Sequence, residues 1–428
     1  METRIENDSV IVKGKSMLAG EIELPAAKNA VLPLIAAAVI SKEEIVIKNC
    51  LPLSDINKMM EIIRHLGGEA YFSYSDIVIN CKYAEPRKID EKFTGEIRSS
   101  VFLLGPLLAR FGNAELCYPG GCEIGLRPID LHIDGLKRLG VSICEKGGII
   151  CCDGKNMKAG DVCLDFPSVG ATENLIMASV FLEGNTIIRN AAKEPEIRDL
   201  ADFINMLGGR VYGAGTDTIC VQGVKKIMGG IYRPMPDRIV AGTIMAAGAV
   251  CGGKIRLKNY CERDMKAVEA KYRQAGAKII HEKNAASVEF CGRIKSVRKT
   301  ETQPFPGFPT DMQPVFTSSL CYAAGTGVVV ENLFESRFRY VGQLIKTGAD
   351  VTVKDRVAII RGKACLHGAI MKAEDLRGGA ALIVAALGAE GESIINGMRH
   401  VDRGYYRIEN IFLSLGANIE RIKPVCQE

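Results

Sequence analysis

The sequence predicts an α/β protein of two domains, each built from three copies of one repeating unit and each containing buried alanine-rich helices. Three observations lead to this prediction. One pattern recurs six times along the chain. Helix-like and strand-like stretches alternate within each copy, which is typical of helices packed on sheets. The length of 428 residues also exceeds what a single hydrophobic core usually accommodates.

The recurring pattern is a helix-like run that ends at a glycine and is followed by two short strands. A glycine just after a helix commonly takes the left-handed conformation that ends the helix. The spacing of these glycines, 68 to 73 residues, predicts repeated supersecondary units. The glycines are Gly67, Gly140, Gly208, Gly276, Gly348 and Gly416.

Each copy is predicted to run strand, helix, strand, helix, strand, strand. The first helix of several copies is rich in alanine and apolar on most sides, so we expect it to be buried inside its domain. These helices are predicted at residues 30–40, 170–182, 241–250 and 380–387.

The sixth copy ends near residue 422 without its last strand, and the amino terminus supplies a matching stretch. Residues 9–14 and 20–24 resemble residues 219–223 and 230–234 of the third copy. We therefore predict one domain at 28–235 and a second formed by 1–27 with 236–428. The chain then crosses twice between the domains, and the two crossings predict a hinge.

Composition excludes several classes of function. No stretch reaches the roughly 18 apolar residues of a membrane span, and the amino terminus lacks the pattern of a signal peptide. The net charge of +5 comes without a basic run, so no nucleic-acid partner is expected. Five histidines without close pairing predict no metal site. Fifteen scattered cysteines indicate thiols in a reducing cytoplasm, most of them small core residues.

Alignment of the copies places one residue of each at the start of a helix. Helix amino termini attract anions, and four of these six side chains are basic, which predicts an anion-binding cleft between the domains. Helix capping and ordinary surface charge remain the alternative, which suits Ser168 well. The six residues are Lys28, Arg98, Ser168, Arg238, Asp311 and Arg377.

The second copy is longer than the first and third because it contains the loop Y-P-G-G-C-E-I-G-L-R-P-I-D-L-H at 118–132. Insertions into one repeat usually lie on the binding face, so we expect Cys122 at the cleft. A surface loop with an incidental cysteine is the alternative. The sixth copy also carries an extra segment, R-H-V-D-R-G-Y-Y-R at 399–407.

Motifs that span nearly the whole chain resemble one known family. They are A-A-K-N, P-G-G-C-x-I-G-x-R-P, S-V-G-A-T, F-P-T-D-M-Q, E-x-R-F, D-L-R and H-V-D-R-G-Y. On these motifs the sequence resembles the enolpyruvyl transferases, in the branch that acts on UDP-N-acetylglucosamine. The resemblance implies a two-domain inside-out α/β barrel.

The resemblance also implies an activity, which is the first committed step of peptidoglycan synthesis. The enolpyruvyl group of phosphoenolpyruvate passes to the 3-hydroxyl of UDP-N-acetylglucosamine by addition and elimination, and phosphate is released. The implied enzyme is cytoplasmic, uses no cofactor or metal, needs no obligate protein partner and is a fosfomycin target.

Roles for individual residues follow from the same resemblance. Cys122 would protonate the methylene carbon and form a covalent adduct, and Asp311 would accept the proton of the sugar hydroxyl. Phosphoenolpyruvate would be bound by Lys28, Asn29, Arg127, Arg377 and Arg403, with Lys28 and Arg403 also catalytic. UDP-N-acetylglucosamine would be bound by Arg98, Arg127, Pro128, Ile129, Asp130, Leu131, Ser168, Val169, Gly170, Asp311 and Leu333. Arg337 and Asp375 would complete the cleft.

The sequence departs from the family pattern at two points. Phe166 and Pro167 stand where some relatives carry a lysine for the uridine diphosphate, so that contact is not carried over. Glu123 follows Cys122 directly and would raise the thiol pKa.

Two other functions remain open at this stage. One is a sister transferase that acts on another phosphorylated alcohol, against which Cys122 and the S-V-G-A-T turn argue. The other is a non-catalytic UDP-sugar-binding paralogue, against which the intact Cys122, Asp311, Lys28 and Arg403 argue.

Overall fold

The structure, a computed structural model, describes residues 8–120 and 129–422. Its strands are short, at two to six residues each. In chain order they are β1 (Ser9–Lys13), β2 (Leu18–Glu23), β3 (Glu44–Ile47), β4 (Glu69–Ser73), β5 (Asp76–Asn80), β6 (Asn113–Cys117), β7 (Ser142–Lys146), β8 (Ile149–Asp153), β9 (Asp161–Cys163), β10 (Asn185–Arg189), β11 (Val211–Tyr212), β12 (Thr218–Gln222), β13 (Gly230–Tyr232), β14 (Gly253–Lys258), β15 (Lys278–Glu282), β16 (Ala285–Phe290), β17 (Lys299–Glu301), β18 (Thr326–Val330), β19 (Asp350–Lys354), β20 (Val357–Arg361), β21 (Ile370–Lys372), β22 (Glu392–Asn396) and β23 (Asn418–Ile422).

The helices alternate with these strands, as the sequence predicts. They are α1 (Lys28–Ala37), α2 (Ser54–His65), α3 (Glu91–Thr94), α4 (Leu104–Phe111), α5 (Asp130–Arg138), α6 (Val169–Ser179), α7 (Pro195–Met206), α8 (Arg238–Cys251), α9 (Glu262–Ala275), α10 (Gln313–Leu320), α11 (Val341–Leu344), α12 (Leu376–Gly388), α13 (Met398–Val401) and α14 (Ile408–Ser414). Short 3₁₀ helices precede α4 at Arg98–Leu103 and α10 at Thr310–Met312. The marker glycines all have positive φ, between 81° and 106°, so the predicted helix ends are confirmed.

The third repeat shows the predicted order of elements in full, as β9, α6, β10, α7, β11 and β12. Its sheet has the order β11-β12-β10-β9, in which β9 and β10 are parallel and the other neighbours are antiparallel. The parallel pair is joined through α6, since parallel strands need a crossover connection. Within the described residues, five sheets of this kind have four strands, and β6-β8-β7 has three.

Strands from distant parts of the chain complete three of the sheets. Strand β1 lies between β22 and β23 and is antiparallel to both. Strand β2 is parallel to β14 over six residues. Strand β13 is parallel to β3. The amino-terminal segment therefore supplies strands to the carboxy-terminal repeats.

The described chain forms two compact units, which we call lobe A (26–120 and 129–235) and lobe B (8–25 and 236–422). Each lobe has its own hydrophobic core. In lobe B, helices α8, α10 and α12 pack against one another, and every residue of α12 from Arg377 to Leu387 is buried. In lobe A, α1 and α6 are similarly buried. The predicted burial of the alanine-rich helices is confirmed.

Helices α4 and α10 occupy the same place in their repeats as the alanine-rich helices, and the 3₁₀ turns before them contain Arg98 and Asp311, in agreement with the alignment of the copies. The expectation that most cysteines are buried core residues is wrong. Of the thirteen cysteines described, four are buried, and Cys144, Cys163 and Cys291 are exposed. Cys144 and Cys163 are exposed because they lie in edge strands, where alternate residues face solvent.

No helix in the described ranges is long and apolar enough to span a membrane.

Candidate functional site

The six residues that the repeat aligns all lie at the starts of helices. Lys28, Arg98 and Arg238 are the first residues of α1, of the 3₁₀ helix before α4, and of α8. Asp311 lies in the 3₁₀ helix that leads into α10, and Arg377 is the second residue of α12. Ser168 caps α6, because its hydroxyl accepts a hydrogen bond from the backbone N–H of Ala171 at 3.3 Å. The predicted position at helix starts is confirmed.

In lobe B, Asp311 is held between two arginines. Its Oδ1 lies 2.6 Å from Nη2 of Arg337, and its Oδ2 lies 2.9 Å from Nη2 and 3.2 Å from Nε of Arg377. Both arginines are only 3% exposed. Charge-assisted hydrogen bonds of this kind hold a carboxylate in its ionised, proton-accepting form.

The arginines are themselves fixed by their neighbours. Arg337 donates to the backbone carbonyl of Thr310, one residue before Asp311. Asp375 caps α12 by accepting the backbone N–H groups of Arg377 and Gly378. Burial lowers the pKa of Arg377, but Asp311 and further neighbours outweigh it, so the net pKa is raised. Arg377 therefore stays charged.

Glu331, which the sequence did not reveal, joins the Asp311 turn to Leu333. Its buried carboxylate accepts hydrogen bonds from the hydroxyls of Thr302 and Thr310, each at 2.9 Å, and from the backbone N–H of Leu333, also at 2.9 Å. Leu333 is half-buried. A lone glutamate after a strand carries no sequence signal for such a role.

Arg403 lies in the segment that follows α13 and is half-buried. Its neighbour Asp402 is ion-paired with Arg421 at 2.6 Å. The next residue, Gly404, packs on α12, since a Cβ there would lie 2.7 Å from the side chain of Leu376. The Arg403 segment thus packs beside the start of the helix that carries Arg377.

In lobe A, Lys28 forms a buried ion pair with Asp55, whose Oδ2 lies 3.0 Å from Nζ. Lys28 and Asp55 are both buried, whereas Asn29 is exposed. Asp55 was missed because an aspartate in the first turn of a helix, here α2, usually serves only the helix terminus.

The starts of α5 and α6, which carry most of the residues predicted to bind the nucleotide sugar, are neighbours. A Cβ on Gly170 would lie 2.9 Å from the ring of His132, so glycine permits this close approach. His132 is buried, and its Nδ1 lies 2.8 Å from the amide nitrogen of Asn174. The contact brings residues 129–131 and 168–170 together. Within these segments Ile129 is buried, Leu131 and Val169 are half-buried, and Asp130 is exposed.

The glycine-rich loop is described only up to Gly120. Its backbone N–H donates to the carbonyl of Thr94 at 2.9 Å, and a Cβ there would lie 2.4 Å from the carbonyl oxygen of Gly95. Gly120 is therefore fixed beside the segment that leads to Arg98, which is half-buried. Cys122, Glu123, Arg127 and Pro128 lie outside the described residues.

Among residues 8–120 and 129–422, no group of three or more histidine, cysteine, aspartate or glutamate side chains has a geometry that could hold a metal ion. Positively charged side chains at helix starts are of the kind that binds anions.

The fold and these helix starts define a class of protein. The enolpyruvyl transferase NikO from Streptomyces tendae superposes with a TM-score of 0.85 at 21% identity, covering 97% of this chain and 99% of its own. EPSP synthase from Acinetobacter baumannii superposes with a TM-score of 0.76 at 17% identity, covering 96% of this chain and 99% of its own. The predicted inside-out α/β fold is therefore confirmed.

Sequence comparison shows the family. A family model for EPSP synthase (3-phosphoshikimate 1-carboxyvinyltransferase) matches residues 12–412. UDP-N-acetylglucosamine 1-carboxyvinyltransferase 2 of Caldanaerobacter subterraneus is 44% identical over 96% of this chain and 99% of its own. UDP-N-acetylglucosamine 1-carboxyvinyltransferase of Cronobacter sakazakii is 41% identical over 97% of this chain and 99% of its own. The chain belongs to the EPSP synthase family of enolpyruvyl transferases.

Proposed function

We propose that this protein transfers the enolpyruvyl group of phosphoenolpyruvate to the 3-hydroxyl of UDP-N-acetylglucosamine and releases phosphate. The observation that carries the proposal is the carboxylate of Asp311, which lies between the buried guanidinium groups of Arg337 and Arg377 at a helix start. Identity of 41–44% over nearly the whole chain to relatives named for this activity supports the choice of acceptor.

The reaction has two steps, addition and elimination. In the first, the 3-hydroxyl oxygen bonds to C2 of phosphoenolpyruvate, its proton passes to Asp311, and the methylene carbon receives a proton from an acid. In the second, the new methyl group loses a proton, the double bond re-forms, and the C–O bond to phosphate breaks with its electrons on phosphate. General acid–base catalysis of this kind contributes about 10²- to 10⁴-fold.

Asp311 can act as the base in its carboxylate form, and both of its oxygens face guanidinium groups in this structure. An anionic substrate that binds Arg377 would compete with Asp311 for that cation. The carboxylate would then gain basicity when the substrate arrives. The ion pairs thus explain how a carboxylate can stay ionised beforehand and still take a proton later.

The remaining roles are assigned by the family motifs. Lys28, Asn29 and Arg127 would bind phosphoenolpyruvate, and Arg98 with residues 127–131 and 168–170 would bind the nucleotide sugar. On lobe B, Arg377 and Arg403 would bind phosphoenolpyruvate, Leu333 would contact the nucleotide sugar, and Arg337 and Asp375 would complete the site. Cys122 would be the acid of the addition step and the residue alkylated by fosfomycin.

The proposed reaction also implies a biological role. It supplies the first committed intermediate of peptidoglycan synthesis, and so would serve cell-wall growth, cell shape and cell division. Both substrates are cytoplasmic metabolites, so we place the enzyme in the cytoplasm and assign it small-molecule partners only, with no cofactor or metal.

The experiment is phosphate release from phosphoenolpyruvate in the presence of UDP-N-acetylglucosamine, of 3-phosphoshikimate, or of neither. We expect release with UDP-N-acetylglucosamine alone, together with an enolpyruvyl product detected by mass spectrometry. Release with 3-phosphoshikimate instead would assign the protein to the sister reaction. UDP-N-acetylglucosamine binding by calorimetry without any phosphate release would favour a non-catalytic UDP-sugar-binding protein.

A further inference from the structure

Tyr405 is buried in lobe B between the start of α12 and helix α8. It is 1% exposed, and its ring centroid lies 5.4 Å from the guanidinium carbon of Arg377. An arginine at this distance over an aromatic ring is attracted by the negative face of the ring. Tyr405 therefore packs against the same guanidinium group that pairs with Asp311.

The Tyr405 hydroxyl is fixed by Thr243 on α8, with 2.7 Å between the two oxygens. The single hydroxyl hydrogen of Thr243 is directed to the carbonyl of Ile239 at 2.8 Å. Tyr405 must therefore donate its own hydrogen to Thr243, because a threonine hydroxyl has only one hydrogen to give. The ring thus has a single orientation.

The charge state of Tyr405 agrees with this donor role. Burial raises the pKa of its phenol, and the positive charge of Arg377 offsets only part of that effect. The hydroxyl is therefore protonated at neutral pH. Asp237, the residue that caps α8, acts electrostatically on both Tyr405 and Arg377.

Tyr405 also anchors the segment that carries Arg403. Its backbone N–H and that of Gly404 both donate to the carbonyl of Val401 at 3.0 Å. This tight turn places Arg403 two residues before a ring that cannot rotate. One side chain thereby ties the Arg403 segment to the guanidinium of Arg377.

We infer that Tyr405 is a positioning residue of the transfer reaction, which acts through Arg377 to hold its guanidinium toward Asp311. The inference rests on the proposed function, since it takes Asp311 and Arg377 to be at the reacting site. Thr243 contributes to the same positioning, because its hydrogen bond holds the Tyr405 ring in place. Tyr405 itself need not touch either substrate.

The alternative is that Tyr405 only fills the core, and the chain offers a matched control. Tyr322 is also buried in lobe B, and its hydroxyl donates to the carbonyl of Ala385 near the other end of α12. Tyr405→Phe and Tyr322→Phe each remove one buried hydroxyl that contributes to the same helical core. Only Tyr405 lies at the end of α12 that carries Arg377.

The test compares kcat, KM and unfolding for Tyr405→Phe, Tyr322→Phe, Thr243→Val and Thr243→Ser in the full chain. We expect Tyr405→Phe and Thr243→Val to lower kcat about 5-fold, the effect of one lost hydrogen bond, with KM for UDP-N-acetylglucosamine unchanged. Thr243→Ser keeps the hydroxyl and should restore kcat, and Tyr322→Phe should lose stability alone. In an Arg377→Lys background, Tyr405→Phe should have little further effect.

Equal kcat in Tyr405→Phe and Tyr322→Phe would overturn the inference, as would an undiminished Tyr405 effect in the Arg377→Lys background. A readout that does not need turnover is solvent exchange of the Arg377 Nε proton by NMR. It should quicken in Tyr405→Phe and not in Tyr322→Phe. A wild-type protein without UDP-N-acetylglucosamine-dependent phosphate release would refute the proposed function, while the exchange measurement would still decide whether Tyr405 holds Arg377.

Discussion

Lys28 and Asp55 form an ion pair that is almost completely removed from solvent, with 3.0 Å between Nζ and Oδ2. The two side chains are 9% and 7% exposed. Removing one partner of such a pair leaves a buried charge without compensation, which typically costs 3–5 kcal/mol. Because Lys28 begins α1, its ammonium also lies at the positive end of a helix dipole and needs an anion nearby.

The first prediction concerns Asp55→Asn, which keeps the shape of the side chain and removes its charge. We expect the free energy of unfolding to fall by roughly 3 kcal/mol, because Lys28 loses its buried counter-ion. Inorganic phosphate that binds at Lys28 would restore a counter-ion. Phosphate should therefore raise the melting temperature of Asp55→Asn more than that of the wild type, which differential scanning calorimetry measures.

Asp76→Asn is the matched control for this variant. Asp76 pairs with Lys48 at 2.7 Å in the same lobe, but these side chains are 23% and 42% exposed. Exposed pairs contribute about 0–1 kcal/mol, so this variant should change little. Equal phosphate-induced stabilisation of Asp55→Asn and wild type would mean that Lys28 does not take an anion.

Much of the architecture could be predicted from the sequence because the repeat ties distant positions together. The glycine spacing fixes where each helix ends, so one alignment locates all six helix starts from Lys28 to Arg377. The bounds of α4 and α10 could not be predicted, because their sequences lack an alanine bias and each helix follows a 3₁₀ turn. Repetition compensates for weak local signals only where the copies resemble one another.

Partners across the site could not be predicted in the same way. Three side-chain hydrogen bonds join residues that are distant in sequence and come together only on folding. They are Asp55 with Lys28, Thr243 with Tyr405, and Glu331 with Thr310. Their identities alone are equally consistent with a helix terminus or a polar core residue. Family motifs named Asp311, Arg337 and Arg377, but the pairing of one carboxylate with two arginines is a property of the folded lobe.

The second prediction concerns Asp311→Asn. The amide keeps the size of the side chain but cannot accept the hydroxyl proton, so turnover should fall at least about 100-fold, as expected for a lost acid–base group. The variant should remain folded but less stable, because Arg337 and Arg377 lose their shared counter-ion. Steady-state phosphate release and urea unfolding measure the two effects.

Glu335→Gln provides the comparison for Asp311→Asn, since Glu335 pairs with Arg356 at 2.7 Å on the exposed surface of the same lobe. It should leave both turnover and stability nearly unchanged. Near-normal turnover in Asp311→Asn would mean that Asp311 is not the base of the reaction and has only a structural role in the turn before α10.

The third prediction concerns Glu173 on α6, which is 1% exposed in lobe A. Neither of its carboxyl oxygens has a hydrogen-bond partner among the described residues. Burial, followed by the charges of Glu196 and Glu194, raises its pKa well above the ordinary value. The folded protein therefore binds a proton that the unfolded chain releases above pH 4 to 5.

The sign of the effect follows from this difference in proton binding. As pH rises from about 4.3 toward the pKa of Glu173 in the folded protein, the free energy of unfolding falls by up to about 1.4 kcal/mol per pH unit. Glu173→Gln removes this loss. The variant should therefore unfold at a higher urea concentration than wild type at pH 7, and the difference between the two proteins should be smaller at pH 5. Glu183→Gln, at an exposed site, should show no such difference. A constant gap between Glu173→Gln and wild type across pH would contradict the prediction.

The fourth prediction concerns the thiol that fosfomycin would modify. The family motifs imply that Cys122 works with cationic groups that bind phosphoenolpyruvate, and positive charge near a thiol favours the reactive thiolate. Burial raises the pKa of Cys50, Cys81 and Cys321 to about 12, so these thiols should be inert near neutral pH. We expect one adduct, at Cys122, formed faster in the presence of UDP-N-acetylglucosamine, as measured by peptide mass spectrometry.

Variants at Cys122 separate its acid role from its nucleophilic role. Cys122→Asp can still donate a proton but cannot open the epoxide as a thiolate does, so it should retain activity and resist the drug. Cys122→Ser has a hydroxyl too weakly acidic for proton donation and should lose most turnover. A triple replacement of the exposed thiols Cys144, Cys163 and Cys291 by serine should leave both activity and inactivation unchanged. An adduct on any of those three, or a fosfomycin-sensitive Cys122→Asp enzyme, would show that the glycine-rich loop does not carry the reactive thiol.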